Sequence, residues 1–155
     1  MRFVPALVRG GALATAATTA ALVLFGARDG DPAGPLNAVS HIAWGDRAAS
    51  QFGVSAKYTA VGLALNAAAV TSWAALHALL FRKRGAWFGG AMVSAVAYAT
   101  DYLVVPQRLN PGFERRLTPA GMLAVYAALA LALGLATGAG RARVGPLGPG
   151  RLTQR

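Results

Sequence analysis

Long apolar runs separated by short polar stretches dominate the chain. There are four of them, at residues 4–27, 56–81, 86–105 and 119–139. At about 1.5 Å of rise per residue, roughly 20 helical residues cross a bilayer core of about 30 Å. Each run therefore predicts a transmembrane helix. The pattern as a whole predicts an all-α membrane protein, with four helices in an antiparallel bundle forming one domain over residues 1–140. Residues 141–155 are mostly Gly, Pro and Arg and have little to bury, so they are expected to form a disordered basic tail.

The first run is preceded or opened by Arg2 and Arg9, as in a signal peptide. Its end, Leu24-Phe25-Gly26-Ala27, places a bulky Phe where cleavage requires small residues, which favours an uncleaved first span. Ala12, Ala16 and Ala20 lie four apart, as do Ala60, Ala64, Ala68 and Ser72 in the second run and Ala120 to Ala136 in the fourth. Such ladders predict close helix contact. The second run also gathers Thr59, Gly62, Asn66, Trp73 and His77 on one helical face. The third places Ser94, Tyr98, Asp101, Tyr102 and Val105 on one face, and Pro106 ends it. Thr118-Pro119 reads as an N-cap followed by proline at the first helical position.

Residues 26–55 are too many for a structureless connection. After the loop at residues 28–35, residues 35–44 predict a short helix with Leu36, Val39, Ile42 and Ala43 on one side. It is too short to span and is expected to lie at the interface or between spans. Gly45-Asp46 breaks it. Residues 113–117 are expected to add one amphipathic turn.

Composition agrees with this pattern. The chain is 55% hydrophobic and 13% charged, with a mean hydropathy of +0.47; soluble domains carry about 25% charged residues. The net charge of +10 does not point to nucleic acid, because the basic residues sit at the ends of the apolar runs rather than along one face. They read as topology signals instead. The N-terminus, the Arg82-Lys83-Arg84 turn and the tail hold nine basic residues and no acid. The other two loops hold six basic residues and four acids. The positive-inside rule then puts both termini in the cytoplasm and the long first loop outside. Arg82, Lys83 and Arg84 are expected to meet anionic lipid head groups. The bilayer is thus one partner, and a further membrane protein or a second copy is the other kind expected. Heavy use of Ala, Gly and Arg suggests a GC-rich bacterium, hence an inner membrane. The absence of cysteine excludes disulfides, thiolate metal sites and cysteine nucleophiles.

Candidate chemistry centres on Asp101, a carboxylate about five residues before the end of an apolar span. Inserting an ionised carboxylate at the centre of a membrane helix costs about 2.5–3.5 kcal/mol, so such a residue tends to find a partner or to face water. The expected partner is an arginine from a loop, Arg108 first and Arg47 second, with further bonds from Tyr98, Tyr102 and Asn66. Without that partner, Asp101 reads as a proton- or cation-binding carboxylate. His41 and Asp46 lie five apart across Gly45, and a chain break there would bring them together as a relay or half a metal site. A metal site needs more ligands than these, so no metal and no cofactor is expected. Bonds from His41 and Asp46 to the backbone, Asn37 or Ser40 are the plainer reading. Asn66, near mid-membrane, is expected to bond a neighbouring helix. His77 reads as an interfacial residue or a head-group contact. No Ser–His–Asp spacing, HExxH or phosphate-binding glycine loop is present.

Two blocks, Asn37-Ala-Val-Ser-His41-Ile-Ala-Trp44-Gly-Asp46 and Asp101-Tyr-Leu-Val-Val-Pro106-Gln-Arg108-Leu-Asn110-Pro111-Gly112, resemble blocks of small bacterial membrane proteins with four spans. The resemblance covers most of the chain except the tail. It implies the four-span fold and carries no activity. The expected function is that of a structural or accessory membrane component. A small proton- or cation-linked transporter or channel using Asp101 is the alternative. A membrane enzyme with an outward site at His41, Asp46 and Asp101 comes third.

Overall fold

The structure, a computed structural model, describes residues 3–81 and 85–138. The Arg82, Lys83 and Arg84 head-group site and the expected tail therefore lie outside the described residues. Among the described residues six α-helices occur in order: α1 (Phe3–Arg28), α2 (Gly34–Val39), α3 (His41–Trp44), α4 (Tyr58–Leu80), α5 (Ala86–Ala99) and α6 (Pro119–Gly138). There is no strand among the described residues. Among the described residues three helical stretches, Leu7–Arg28, Tyr58–Leu80 and Pro119–Thr137, are long and apolar enough to cross a membrane.

The long helices begin and end where their sequences dictate. The Thr118 hydroxyl accepts the Gly121 N–H at 3.3 Å, and Pro119 opens α6 at a position whose N–H has no helical partner. Gly85 precedes α5 at φ 73°, a left-handed conformation open to glycine at little cost. The expected third span is not one regular helix. After Ala99 the chain widens into a π turn, Thr100–Val104, in which the Val105 N–H reaches back five residues to the Thr100 carbonyl at 2.9 Å. Pro106 comes directly after it and has no N–H with which to continue the helix.

Packing runs α4–α1–α6–α5, with a lighter contact between α4 and α5. Leu22, Val93, Val125, Leu129 and Leu133 fill the centre. The closest approaches occur at glycines. A Cβ on Gly90 would overlap the Ala130 carbonyl of α6, and one on Gly11 would press on Thr71 of α4 at 3.0 Å. The alanine ladders of α1 and α4 do not make these contacts: Ala12, Ala16, Ala20, Ala60, Ala64, Ala68 and Ser72 are all exposed. The competing demand is polar. Gly62, Asn66 and His77 share the opposite face of α4, and that face is turned inward and buried, where Asn66 bonds to Thr18 and His77 to the Ala86 carbonyl.

A cap closes one end. The connection between α1 and α4 folds into α2, α3 and a 3-10 turn, Asp46–Ser50. The helix expected over 35–44 is thus two pieces, broken at Ser40, whose hydroxyl donates to the Asn37 carbonyl at 2.7 Å. All six residues of α2 are buried against the rest of the chain. α2 packs on α4 at Gly62, where any Cβ would land on the Leu36 carbonyl. Phe113 and Leu117, from the loop before α6, are buried beneath the cap.

Candidate functional site

The cap is held by buried polar groups that satisfy one another. Asn37 is fully buried. Its amide nitrogen donates to the carbonyls of Gln51 (3.2 Å) and Gly53 (2.9 Å), and its amide oxygen accepts from the Thr59 hydroxyl (2.6 Å). The Asp31 carboxylate accepts the N–H groups of Ala33 (3.0 Å) and Gly53 (3.2 Å). His41 is also fully buried, with Nδ1 2.7 Å from the Ala38 carbonyl and Nε2 3.3 Å from the Gln107 carbonyl. Arg116 donates to the carbonyls of Ala49 (2.6 Å) and Gln51 (2.9 Å) and lies over the Phe52 ring at 4.3 Å.

These bonds separate residues that the sequence grouped as one candidate site. Gly45 does break the chain, at φ 81°, but it sends Asp46 outward while His41 stays inside. Exposed Asp46 pairs with Arg115 at 2.7 Å, and that guanidinium holds its carboxyl below the usual carboxylate range. Arg47 is exposed on the cap surface. His41, Asp46 and Asp101 therefore form no joint outward site. His77 is not interfacial in its surroundings: it is buried, with Nε2 3.1 Å from the Ala86 carbonyl and its ring stacked on Phe81.

Asp101 lacks the expected arginine. Its carboxylate accepts from the Tyr126 hydroxyl on α6 at 2.6 Å. Among the described residues no basic side chain comes within ion-pair distance of it. The cause is local. A π turn holds one more residue than the α turn it replaces, which rotates the next stretch of chain by about 100° and carries the Pro106 turn away. Arg108 then points into the cap and donates to the His41 carbonyl, which also accepts the Gly45 N–H at 2.8 Å. Tyr98 and Tyr102 pack beside the pair, their ring centroids 5.2 and 6.3 Å from that of Tyr126. Ser94 adds a second tie between α5 and α6 by donating to the Tyr126 carbonyl at 2.6 Å.

Asp101 lines a cavity of about 90 Å³ between the long helices and the cap. Its polar walls are Asp101, Tyr126, Asn66 and Thr18, and its aromatic walls include Trp73 and Phe113. Asn66 bonds a neighbouring helix, as expected, donating to the Thr18 hydroxyl at 3.3 Å, while that hydroxyl donates to the Ala14 carbonyl at 2.9 Å. The amide oxygen of Asn66 has no protein donor among the described residues and, like the Asp101 carboxylate, retains accepting capacity. Tyr126 and Thr18 were not singled out by the sequence. The signal for Tyr126 was its isolation, a lone phenol among Ala and Leu in the fourth run; Thr18 carried none. Among the described residues, no three His, Cys, Asp or Glu side chains are grouped as a metal would require.

Comparison with protein-family models, with curated proteins and with solved structures finds no match for this chain.

Proposed function

We propose that the chain is a four-span integral protein of a bacterial inner membrane that binds a proton or small cation at Asp101, as a small cation-linked transporter does. The observation that carries this reading is a carboxylate on a cavity wall, paired with a neutral hydroxyl and with no arginine or lysine in reach among the described residues. A carboxylate already neutralised by arginine has little to offer a cation, whereas one held only by a phenol among apolar walls stays open to a proton or a cation. The π turn beside it fits the same reading, since such turns in α-helices occur frequently at functional sites. Beside the three long helices, the remaining span is α5 together with its π turn. Residues 86–104 extend about 28 Å at 1.5 Å per residue, close to the thickness of a bilayer core. Nine basic residues against six support cytoplasmic termini and an outward-facing cap.

A structural or accessory role is the second reading. It is favoured by the cap, where Asn37, Ser40 and His41 spend their hydrogen bonds on the chain itself.

Proteoliposomes carrying the full chain distinguish the two. With a dye reporting internal pH, wild-type vesicles are expected to collapse an imposed cation or proton gradient. Vesicles with Asp101→Asn are expected to do so at least roughly tenfold more slowly, the change that about 1.4 kcal/mol produces. Tight vesicles with both proteins would contradict the transport reading and leave the accessory role.

A further inference from the structure

We infer that the cavity under the cap is a binding site for a small alkylammonium ion. This deepens the proposed cation reading and rests on it. Among the described residues, Asp101 is the one acid that lines the wall, and no basic side chain lines it. The hydroxyl protons of Tyr126 and Thr18 are already donated, to Asp101 and to Ala14, while the Asn66 amide oxygen still accepts. A ligand placed here is therefore asked for positive charge and for N–H donors. The remaining walls are Trp73 and Phe113 among aliphatic side chains, surfaces that suit an alkyl group and that attract a cation through the ring face. A hard metal ion fits poorly. Calcium takes six to eight oxygens, and magnesium retains several waters that apolar walls cannot hold. The volume of about 90 Å³ exceeds the roughly 10–15 Å³ that one water needs, and is small enough to limit the ligand to a few heavy atoms. A primary ammonium carrying a short alkyl chain meets all four conditions of charge, donors, apolar surface and size.

The test uses the full chain in nanodiscs, with binding followed by calorimetry and thermal unfolding at constant ionic strength. Ethylammonium is expected to bind saturably and to raise the unfolding midpoint. Potassium and tetrabutylammonium are expected to do neither. Asp101→Asn should weaken ethylammonium binding by roughly tenfold or more, the scale of a lost charged hydrogen bond, while Asp46→Asn on the surface leaves it unchanged. Should Asp101→Asn not fold, Trp73→Leu carries the test, with an expected loss of about threefold to tenfold. Equal effects of potassium and ethylammonium would overturn the ammonium assignment and keep the cation reading. Equal effects of tetrabutylammonium would overturn it in favour of surface adsorption. No binding of any cation, with vesicles that still exchange protons, would overturn the ammonium site alone; silent vesicles as well would remove both.

Discussion

Gly62→Ala is expected to detach the cap from α4. The added methyl would fall on the Leu36 carbonyl, which is backbone and cannot rotate aside as a side chain could. Either α2 lifts or α4 bends, and both moves expose the buried residues of α2. Overpacking a core typically costs about 1–3 kcal/mol and occasionally more; a clash with backbone on both sides belongs at the upper end. The expected result is a fall of about 3 kcal/mol or more in unfolding free energy in detergent, with faster protease cleavage between residues 29 and 57. Ala64→Gly on the exposed face of the same helix removes no buried contact. It is expected to cost only the helix propensity of glycine, about 1 kcal/mol. Equal losses from the two changes would mean that α2 does not sit on Gly62.

Asn37→Leu is the second large effect. The new side chain is similar in size and apolar, so the cavity term is small. What is lost is the amide that joins the two arms of the cap to α4. The carbonyls of Gln51 and Gly53 lose a donor, and the Thr59 hydroxyl loses its acceptor. Leaving a buried polar group unsatisfied costs about 1–3 kcal/mol, and these partners are partly exposed, so water recovers some of it. The expected net loss is roughly 2–4 kcal/mol. Backbone hydrogen exchange is expected to rise sharply at residues 51–59 and to stay slow at the middle of α6. Uniformly faster exchange across all helices would show that Asn37 acts on the whole fold rather than on the cap.

The helices were legible in the sequence because each is a long apolar run with recognisable end signals, Thr118-Pro119 most clearly. The buried face of α4 was legible too. Gly62, Asn66 and His77 recur at helical spacing, and polar groups among lipid-facing Ala and Leu must turn inward. The alanine ladders of α1 and α4 misled because a small residue permits close contact without requiring it, and the contacts there went to glycine; the ladder of α6 does reach the core, through Ala128 and Ala132. The break at Ser40 was hidden by a hydrophobic period that runs through it. The partner of Asp101 was hidden for a different reason. Tyr126 is 25 residues away on another helix, and Arg108, seven residues on, looked nearer. Only the π turn, which local sequence does not announce, turns one toward Asp101 and the other away. The role of Asp31 was equally silent, since its bonds depend on where Gly53 returns.

The central claim is that Asp101 is held by a neutral hydroxyl and not by a cation. A pair of double-mutant cycles on unfolding in detergent tests it most directly, one combining Asp101→Asn with Tyr126→Phe and the other combining Asp101→Asn with Arg108→Ala. The account predicts a coupling of about 1.5–3 kcal/mol in the first cycle, the range for a hydrogen bond to a charged group. In the second it predicts additivity within about 0.5 kcal/mol. Strong coupling to Arg108 with additivity at Tyr126 would contradict it.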